Sequence, residues 1–505
     1  MQQSLSKRDT SIATALQLLV KEHYAISLIF VLATGLYLFQ LGENSLWLDE
    51  FNSIHDAQQL PAGLEPTRPL YFILLRFWMI FGSSVEWLRG LSAVFALGNL
   101  LLLYGLGRRV ANKAVGSIAA LLLACSPLFI NHVQEVRMYS LGNFLSILGS
   151  LFLLDALQQP TKVNIGKWAV SRILTTLTIP LGILLLAPDT LIVGWKFRRR
   201  FSILGKFVIA FVLIGLCLLP SSLSMVTSAG PSFVSGWTAE LPKPGLAAVV
   251  SKLTSFTVFW PLASLPSNLF VKLLYYSYTL IAAAAVFVAL LKLKTKRAQA
   301  IVQIAAWALL PAAIMLLFSH TLSPIWNSRY LLFLSPYFLI LMAVGFTQVQ
   351  QQSPKIAVLV VLIYLLAVGG GLNQYYAHWE RDDWKAAIES VMAGEQPGDE
   401  IAVYAPMSAP TLAIDYYYRG PAPTTHTIGP LGGSLEKSTI SEALSAIPDS
   451  SKRLWLVLRG FNGNPKANQL MKQAISEQFN VQSHSKFNGP VDVFLVTTKL
   501  ENGTN

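Results

Sequence analysis

Six apolar runs constrain what this chain can fold into: His23 to Leu41, Leu88 to Leu106, Leu269 to Leu291, Ile301 to Phe318, Tyr330 to Phe346 and Ile356 to Val368. Most approach the ~20 residues that carry a helix across a bilayer. A water-soluble globule has nowhere to put so much apolar surface. The mean hydropathy of +0.51 and the 13% share of charged residues agree, since soluble domains carry about twice that charge. The chain therefore reads as a polytopic α-helical membrane protein. Met1 to Ser11 lacks a signal-peptide cleavage pattern, so the first apolar segment is expected to stay as a helix.

The net charge of +12 invites a nucleic-acid reading until the charges are located. From Trp379 onward there are 11 Lys/Arg against 14 Asp/Glu, which leaves 27 against 12 before it. That excess sits in short connections: Arg108-Arg109 and Lys113; Lys196, Arg198-Arg199-Arg200 and Lys206; Lys292, Lys294, Lys296 and Arg297. Such connections mark the cytoplasmic face of a membrane protein. Nucleic-acid binding needs a basic patch on a folded surface and is rejected.

The same rule orients the chain. With Lys7, Arg8 and Lys21 inside, the first helix delivers Asp49-Glu50 to the outer face. The second returns to Arg108-Arg109, the third rises to Asn131-His132, and the fourth descends over Ser140 to Leu154 toward Gln158 to Lys167. Trp168 to Trp195, counted as one crossing, would strand Arg198-Arg199-Arg200 outside. Pro180 and Gly182 divide it into two shorter helices, a hairpin that restores the arginines to the cytoplasm. Phe207 to Leu219 and the four later runs bring the expected total to about eleven spans. The expected organisation is a transmembrane part over 1–376, with a first external loop over 42–87, and an external domain over 377–505. In the latter, Asp382 to Val391 and Ala467 to Phe479 have helical periodicity, and Glu400 to Tyr404, Arg453 to Leu458 and Val491 to Thr497 read as strands, a small soluble α/β domain. It carries no phosphate loop and no nucleophile elbow. Cys125 and Cys217 fall in apolar segments, so neither a disulfide framework nor a Cys/His metal site is expected.

Polar residues gather where the outer helix ends should lie. The first loop has Asp49-Glu50 within Leu46-Trp47-Leu48-Asp49-Glu50-Phe51-Asn52, then His55, Asp56, Glu65 and Arg68. Tyr71 to Phe81 is apolar but too short to span and is interrupted by Arg76, which suits a helix lying in the interface. A second cluster is Gln134-Glu135-Val136-Arg137-Met138-Tyr139, beyond His132; a third is Asn327-Ser328-Arg329-Tyr330. Each also has a purely structural reading. A carboxylate pair can be a solvated loop, an arginine at a helix end can snorkel to lipid phosphate, and the histidines can be boundary residues. Asp189, beside Pro188 in an apolar stretch, is either functional or satisfies backbone donors freed at a helix break.

Taken in order, Trp47-Leu48-Asp49-Glu50, Arg68-Pro69-Leu70-Tyr71, Leu88-Arg89-Gly90-Leu91-Ser92, Gly107-Arg108-Arg109, Ser126-Pro127, Gln134 to Tyr139, Ser328-Arg329-Tyr330-Leu331 with Pro336, and Asp383-Trp384 resemble the GT-C class of polyprenyl-phosphate-sugar-dependent glycosyltransferases. More narrowly they resemble the protein O-mannosyltransferase and lipid A aminoarabinose transferase group. The resemblance implies a cell-envelope enzyme of the inner (plasma) membrane, with the N-terminus cytoplasmic and the C-terminal domain periplasmic. It would move a sugar from a polyprenyl-phosphate donor to a hydroxyl on a protein, lipid or glycan acceptor, with inversion at the anomeric carbon. Asp49 would be the general base and Glu50 its helper. Arg137 and Arg329, then Arg68, would hold the leaving phosphate, with Tyr71, Glu135, Tyr139 and Tyr330 around phosphate or sugar. No cofactor or metal is required, because arginines can supply the charge, although adjacent carboxylates are able to take a divalent ion. One departure is the segment Glu65-Pro66-Thr67-Arg68-Pro69: Thr67 stands where many relatives have a basic residue or histidine, and Arg68 replaces the first proline of a Pro-Pro pair. A transporter or flippase of lipid-linked substrates is the alternative, for which Pro180 and Asp189 are the only supporting features. A ligand sensor would leave the external arginines unexplained.

Overall fold

A computed structural model describes residues 24–60, 68–229, 243–258, 265–291, 298–322, 324–378, 381–404, 409–428, 453–460 and 465–498. Lys7, Arg8, Lys21, Glu65, Pro66, Thr67, Lys292, Lys294, Lys296 and Arg297 lie outside these residues. The chain divides into two compact units, 1–39 with 60–378 and 40–59 with 379–505.

The first unit is helical. Among the described residues, eight helices are long and apolar enough to cross a membrane: Val85–Val110, Tyr139–Gln158, Pro180–Phe197, Phe201–Ser224, Leu269–Leu291, Gln299–Thr321, Ser328–Gln352 and Pro354–His378. Lys113–Ala124 and Pro127–Val133, bent by 65° at Cys125-Ser126, make a ninth if counted as one broken span. The expected count of about eleven is not confirmed among the described residues, where Tyr24–Leu38, Pro69–Met79 and Leu246–Val258 are shorter apolar helices. The helices Val85–Val110 and Lys113–Ala124 fold back on each other around Gly107 and Gly116. A Cβ on Gly107 would sit 2.7 Å from the Gly116 Cα, so the backbones touch where a larger residue would hold them apart.

The division expected at Pro180 is present. Lys162–Thr176 ends before a tight 3-10 turn, Pro180–Leu185, which continues as Leu186–Phe197. Trp168 and Arg172 both reach Asp189 directly. In one straight helix Trp168 and Asp189 would stand ~30 Å apart. The chain therefore reverses, as the hairpin requires. The apolar helix Pro69–Met79 buries Tyr71, Phe72 and Leu75, while Ile73, Phe77 and the following Ile80 and Phe81 are exposed. Trp78 stacks on Trp87 at 4.5 Å, and each indole N–H donates to the other residue's carbonyl.

The second unit is a five-stranded mixed sheet with helices. The strands are β1 Glu400–Tyr404, β2 Thr424–Ile428, β3 Leu454–Arg459, β4 Phe479–Phe487 and β5 Val491–Thr498, in the order β2-β1-β3-β5-β4. β1 pairs in parallel with β2 and β3, while β5 pairs antiparallel with β3 and β4. Helix Pro465–Gln478 covers one face, with Met471, Ala474 and Ile475 packed among Ala402, Leu456, Leu458 and Phe494. The start of β1 is braced by Asp399, which accepts from Trp455 Nε1 (2.8 Å), Arg453 Nε (2.9 Å) and the Gln396 N–H (2.9 Å). Burial alone would push this carboxyl up, but these donors together outweigh it and hold it below its ordinary range.

Residues 40–59 belong to this second unit for a visible reason. The Ser45 hydroxyl donates to Asp383 Oδ1 (3.0 Å) and accepts from the Lys385 N–H (3.0 Å). The Leu46 N–H donates to the Tyr417 hydroxyl (2.9 Å), and the Phe51 ring packs edge-on to Tyr416 and Tyr417. The start of the expected external loop is thus built into the C-terminal domain.

Candidate active site

Asp49-Glu50 follows the first apolar helix, Tyr24–Leu38, in the chain. It occupies the first turn of a separate helix, Leu48–Gln58. Carboxylates there oppose the positive end of the helix dipole, so the pair has a local reason to be helical. The two side chains differ. Glu50 is fully buried, and its Oε2 accepts from the Trp47 N–H (3.3 Å) and from Arg381 Nη1 (3.1 Å). Asp49 is half-buried, and its carbonyl accepts from the Ser53 hydroxyl at 2.8 Å. His55 lies one turn further on, beside Gln59 Nε2 at 2.7 Å.

In the first unit the segment Gln134 to Met138 is the irregular link between helices Pro127–Val133 and Tyr139–Gln158. Buried non-helical backbone needs internal partners. Ser92 supplies them, its hydroxyl lying 2.7 Å from the Glu135 carbonyl and 3.1 Å from that of Arg137. Gln134 Nε2 donates to the carbonyls of Tyr37 (3.0 Å) and Phe39 (2.7 Å), and the Tyr375 hydroxyl donates to Gln134 Oε1 (2.7 Å). The fixed turn carries a buried polar group. Glu135 accepts from Asn131 Nδ2 (2.9 Å) on one oxygen and meets His132 Nδ1 (3.0 Å) with the other. The His132 ring lies 4.6 Å from that of Tyr139, and the Arg137 guanidinium lies 5.9 Å from the same ring. All five side chains are less than a tenth exposed, so Glu135 and Arg137 sit in a medium far less screening than water.

Asn327 caps the third cluster, its Oδ1 accepting from the Arg329 N–H at 3.1 Å. Arg329 is half-buried, with its guanidinium 5.2 Å from the Tyr330 ring. Sequence reasoning missed its neighbour Lys252. This lysine is partly buried in the apolar helix Leu246–Val258, and its Nζ donates to the Ser328 hydroxyl at 2.9 Å. Burial lowers its pKa to about 8. The same helix packs against Pro127–Val133 and Ser328–Leu331, and so draws the second and third clusters toward one end of the bundle. A lone lysine in an otherwise apolar helix was the available signal. Arg68 precedes Pro69–Met79, with its guanidinium 5.8 Å from the Phe72 ring, while Tyr71 is buried in that helix.

Asp189 belongs elsewhere. It is fully buried and accepts from Arg172 Nε (2.7 Å) and Nη2 (3.2 Å), Trp168 Nε1 (2.8 Å) and Trp307 Nε1 (2.7 Å). Arg172 also donates to the Ser146 carbonyl and the Ser150 hydroxyl, both at 3.0 Å. The aspartate ties helices together through side chains and satisfies no broken-helix backbone. Among the described residues, no group of three or more His, Cys, Asp or Glu is placed to hold a metal ion.

This architecture defines a class: the chain has the fold of the GT-C glycosyltransferases. It is similar to ArnT from Cupriavidus metallidurans, solved in the apo state, with a TM-score of 0.59 and 12% identity over 93% of this chain and 97% of that one. The same protein bound to undecaprenyl phosphate matches with a TM-score of 0.55 and 12% identity, over 94% of this chain and 98% of that one. The oligosaccharyltransferase AglB from Archaeoglobus fulgidus, in complex with an inhibitory peptide and a dolichol-phosphate, matches with a TM-score of 0.54 and 13% identity, over 96% of this chain and 75% of that one. No family model matches the sequence, and no curated protein does.

Proposed function

We propose that this chain is a membrane glycosyltransferase that moves a sugar from a polyprenyl-phosphate donor to an acceptor hydroxyl on the outer face of the membrane, with inversion. The observation that carries the reading is a fold shared along more than nine-tenths of the chain with proteins solved with undecaprenyl phosphate or dolichol-phosphate bound. The buried arginine of the Gln134–Met138 turn supports it.

In the proposed reaction Asp49 takes the proton of the acceptor hydroxyl as its oxygen attacks the anomeric carbon. The bond from that carbon to the phosphate oxygen breaks, and polyprenyl phosphate leaves with the electron pair. Arg137, Arg329 and Arg68 neutralise the charge growing on that phosphate; fixed guanidiniums cost no reorganisation at the moment it appears. Glu135, itself held by Asn131 and His132, positions the turn that carries Arg137, and Tyr71, Tyr139 and Tyr330 line the donor's path. Glu50, spent on Arg381 and the Trp47 N–H, acts by fixing the helix that carries Asp49. The transport reading loses its main feature, because Asp189 is saturated by fixed donors. The charge asymmetry of the connections supports an external C-terminal domain, and the family resemblance supports an inner-membrane setting.

The test is a proteoliposome assay with a labelled polyprenyl-phosphate sugar and a cell-envelope extract as acceptor source. Release of free polyprenyl phosphate together with label on a protein, lipid or glycan is expected. Movement of intact donor across the bilayer without bond cleavage would replace this reading with transport.

A further inference from the structure

A second site lies at the far end of the membrane unit. A cavity of about 850 Å³ opens beside the end of helix Leu186–Phe197 and the start of Ala298–Thr321. Lys196, Arg198, Arg199 and Arg200 line it, and among the described residues no aspartate or glutamate does. The rest of the wall is largely apolar, with Leu191, Ile192, Val302 and Ala306. The Arg198 guanidinium lies 4.2 Å from the centroid of the Trp195 ring. A smaller cavity of about 380 Å³ adjoins it, sharing Lys196, Gln299 and Gln303 and reaching Arg109 and Gln158. Arg109 is already neutralised by Asp155 at 2.5 Å, so among the described residues the positive charge without a carboxylate belongs to the larger cavity.

Its position separates it from the proposed donor site. Tyr139 and Gln158 are the two ends of one 20-residue helix, ~30 Å apart. Arg137 and Glu135 adjoin the first end, and the smaller cavity adjoins the second. The basic cavity therefore lies about one hydrocarbon thickness away. Isolated arginines at such a level merely snorkel. Four cations around one hollow with an apolar wall ask for a ligand with more than one negative charge and with hydrocarbon attached.

We propose that this cavity binds an anionic phospholipid whose headgroup carries two phosphates, with its acyl chains lying along the apolar wall. Four cations match two phosphodiesters and are wasted on a zwitterionic headgroup, and an apolar wall is wasted on a free phosphate. Native mass spectrometry of the purified full chain tests this, with added diphosphatidylglycerol, phosphatidylglycerol or phosphatidylcholine. The expected order of retention is diphosphatidylglycerol, then phosphatidylglycerol, with phosphatidylcholine lost. Replacing Arg198, Arg199 and Arg200 together by Gln should weaken diphosphatidylglycerol retention by roughly a hundredfold. Ala306→Trp, which fills the hollow and leaves the charge intact, should weaken it as well, whereas Glu135→Gln at the opposite end should not. Equal retention of all three lipids, insensitivity to both cavity variants, or displacement by excess inorganic diphosphate would overturn the proposal.

Discussion

Asp189 and Asp49 are both aspartates set beside apolar sequence, yet the two units of the molecule use them in opposite ways. Asp189 is fully buried, and its carboxylate is matched by a guanidinium and two indole N–H groups from two other helices. An ion pair that complete is rigid and has no capacity left for a substrate. Asp49 is half-buried on the first turn of a short helix, while its neighbour Glu50 takes the buried ion pair with Arg381. The comparison teaches that burial of an aspartate beside apolar sequence is no sign of catalysis by itself, since the fully buried Asp189 is committed to a guanidinium and two indoles. Depth alone would have ranked Asp189 first.

The largest expected effect breaks the structural half of this contrast. Removing one member of the buried pair, by Arg172→Met or Asp189→Leu, leaves the other charge uncompensated and should cost about 3–5 kcal/mol. Thermal unfolding in detergent should show a large loss, and the double replacement should recover much of it. A single variant as stable as the parent would remove Asp189 from its structural role.

Arg137→Gln should reverse the pattern. Sugar transfer should fall by roughly 10²–10³-fold, as for loss of a preorganised donor to a developing charge, while unfolding moves far less than in the Arg172 variant. Comparable losses of stability in both variants would erase the distinction drawn between the two clusters.

A smaller effect concerns Lys252. Its pKa is lowered to about 8 by burial, so its positive charge is present below that pH and lost as pH rises through it. An ordinary lysine stays charged to about 10.4. If the Lys252–Ser328 pair helps hold the donor phosphate beside Arg329, donor affinity should fall several-fold between about pH 7 and pH 9. Lys252→Met should bind more weakly at pH 7 and lose that slope. An unchanged slope would assign it to another group.

Much of this contrast is legible in the amino-acid sequence, and the remainder is hidden for specific physical reasons. The apolar runs announce a membrane bundle, and Pro180 with Gly182 announces the reversal that brings Trp168 to Asp189. Strands β1, β3 and β5 show themselves because they are buried and apolar. The edge strands β2 and β4 do not: Thr424–Ile428 is polar, and β4 is exposed through most of Asn480–Lys486, so neither carries an apolar period. Asp49 and Glu50 stand out by their adjacency to apolar sequence. Arg381, Arg172 and Lys252 stay hidden because their partners lie 331, 17 and 76 residues away. A single sequence does not display which distant polar groups share one buried environment. Placing residues 40–59 in the C-terminal unit is equally out of its reach, since that rests on Ser45, Leu46 and Phe51 meeting Asp383, Tyr417 and Tyr416.

The most direct test of the central claim is sugar transfer from a polyprenyl-phosphate donor by Asp49→Asn protein present at parental abundance, with Asp189-bearing helices intact by thermal unfolding. The account predicts a loss of about 10²–10⁴-fold with unchanged stability, as for removal of a general base. Transfer at the parental rate would contradict it.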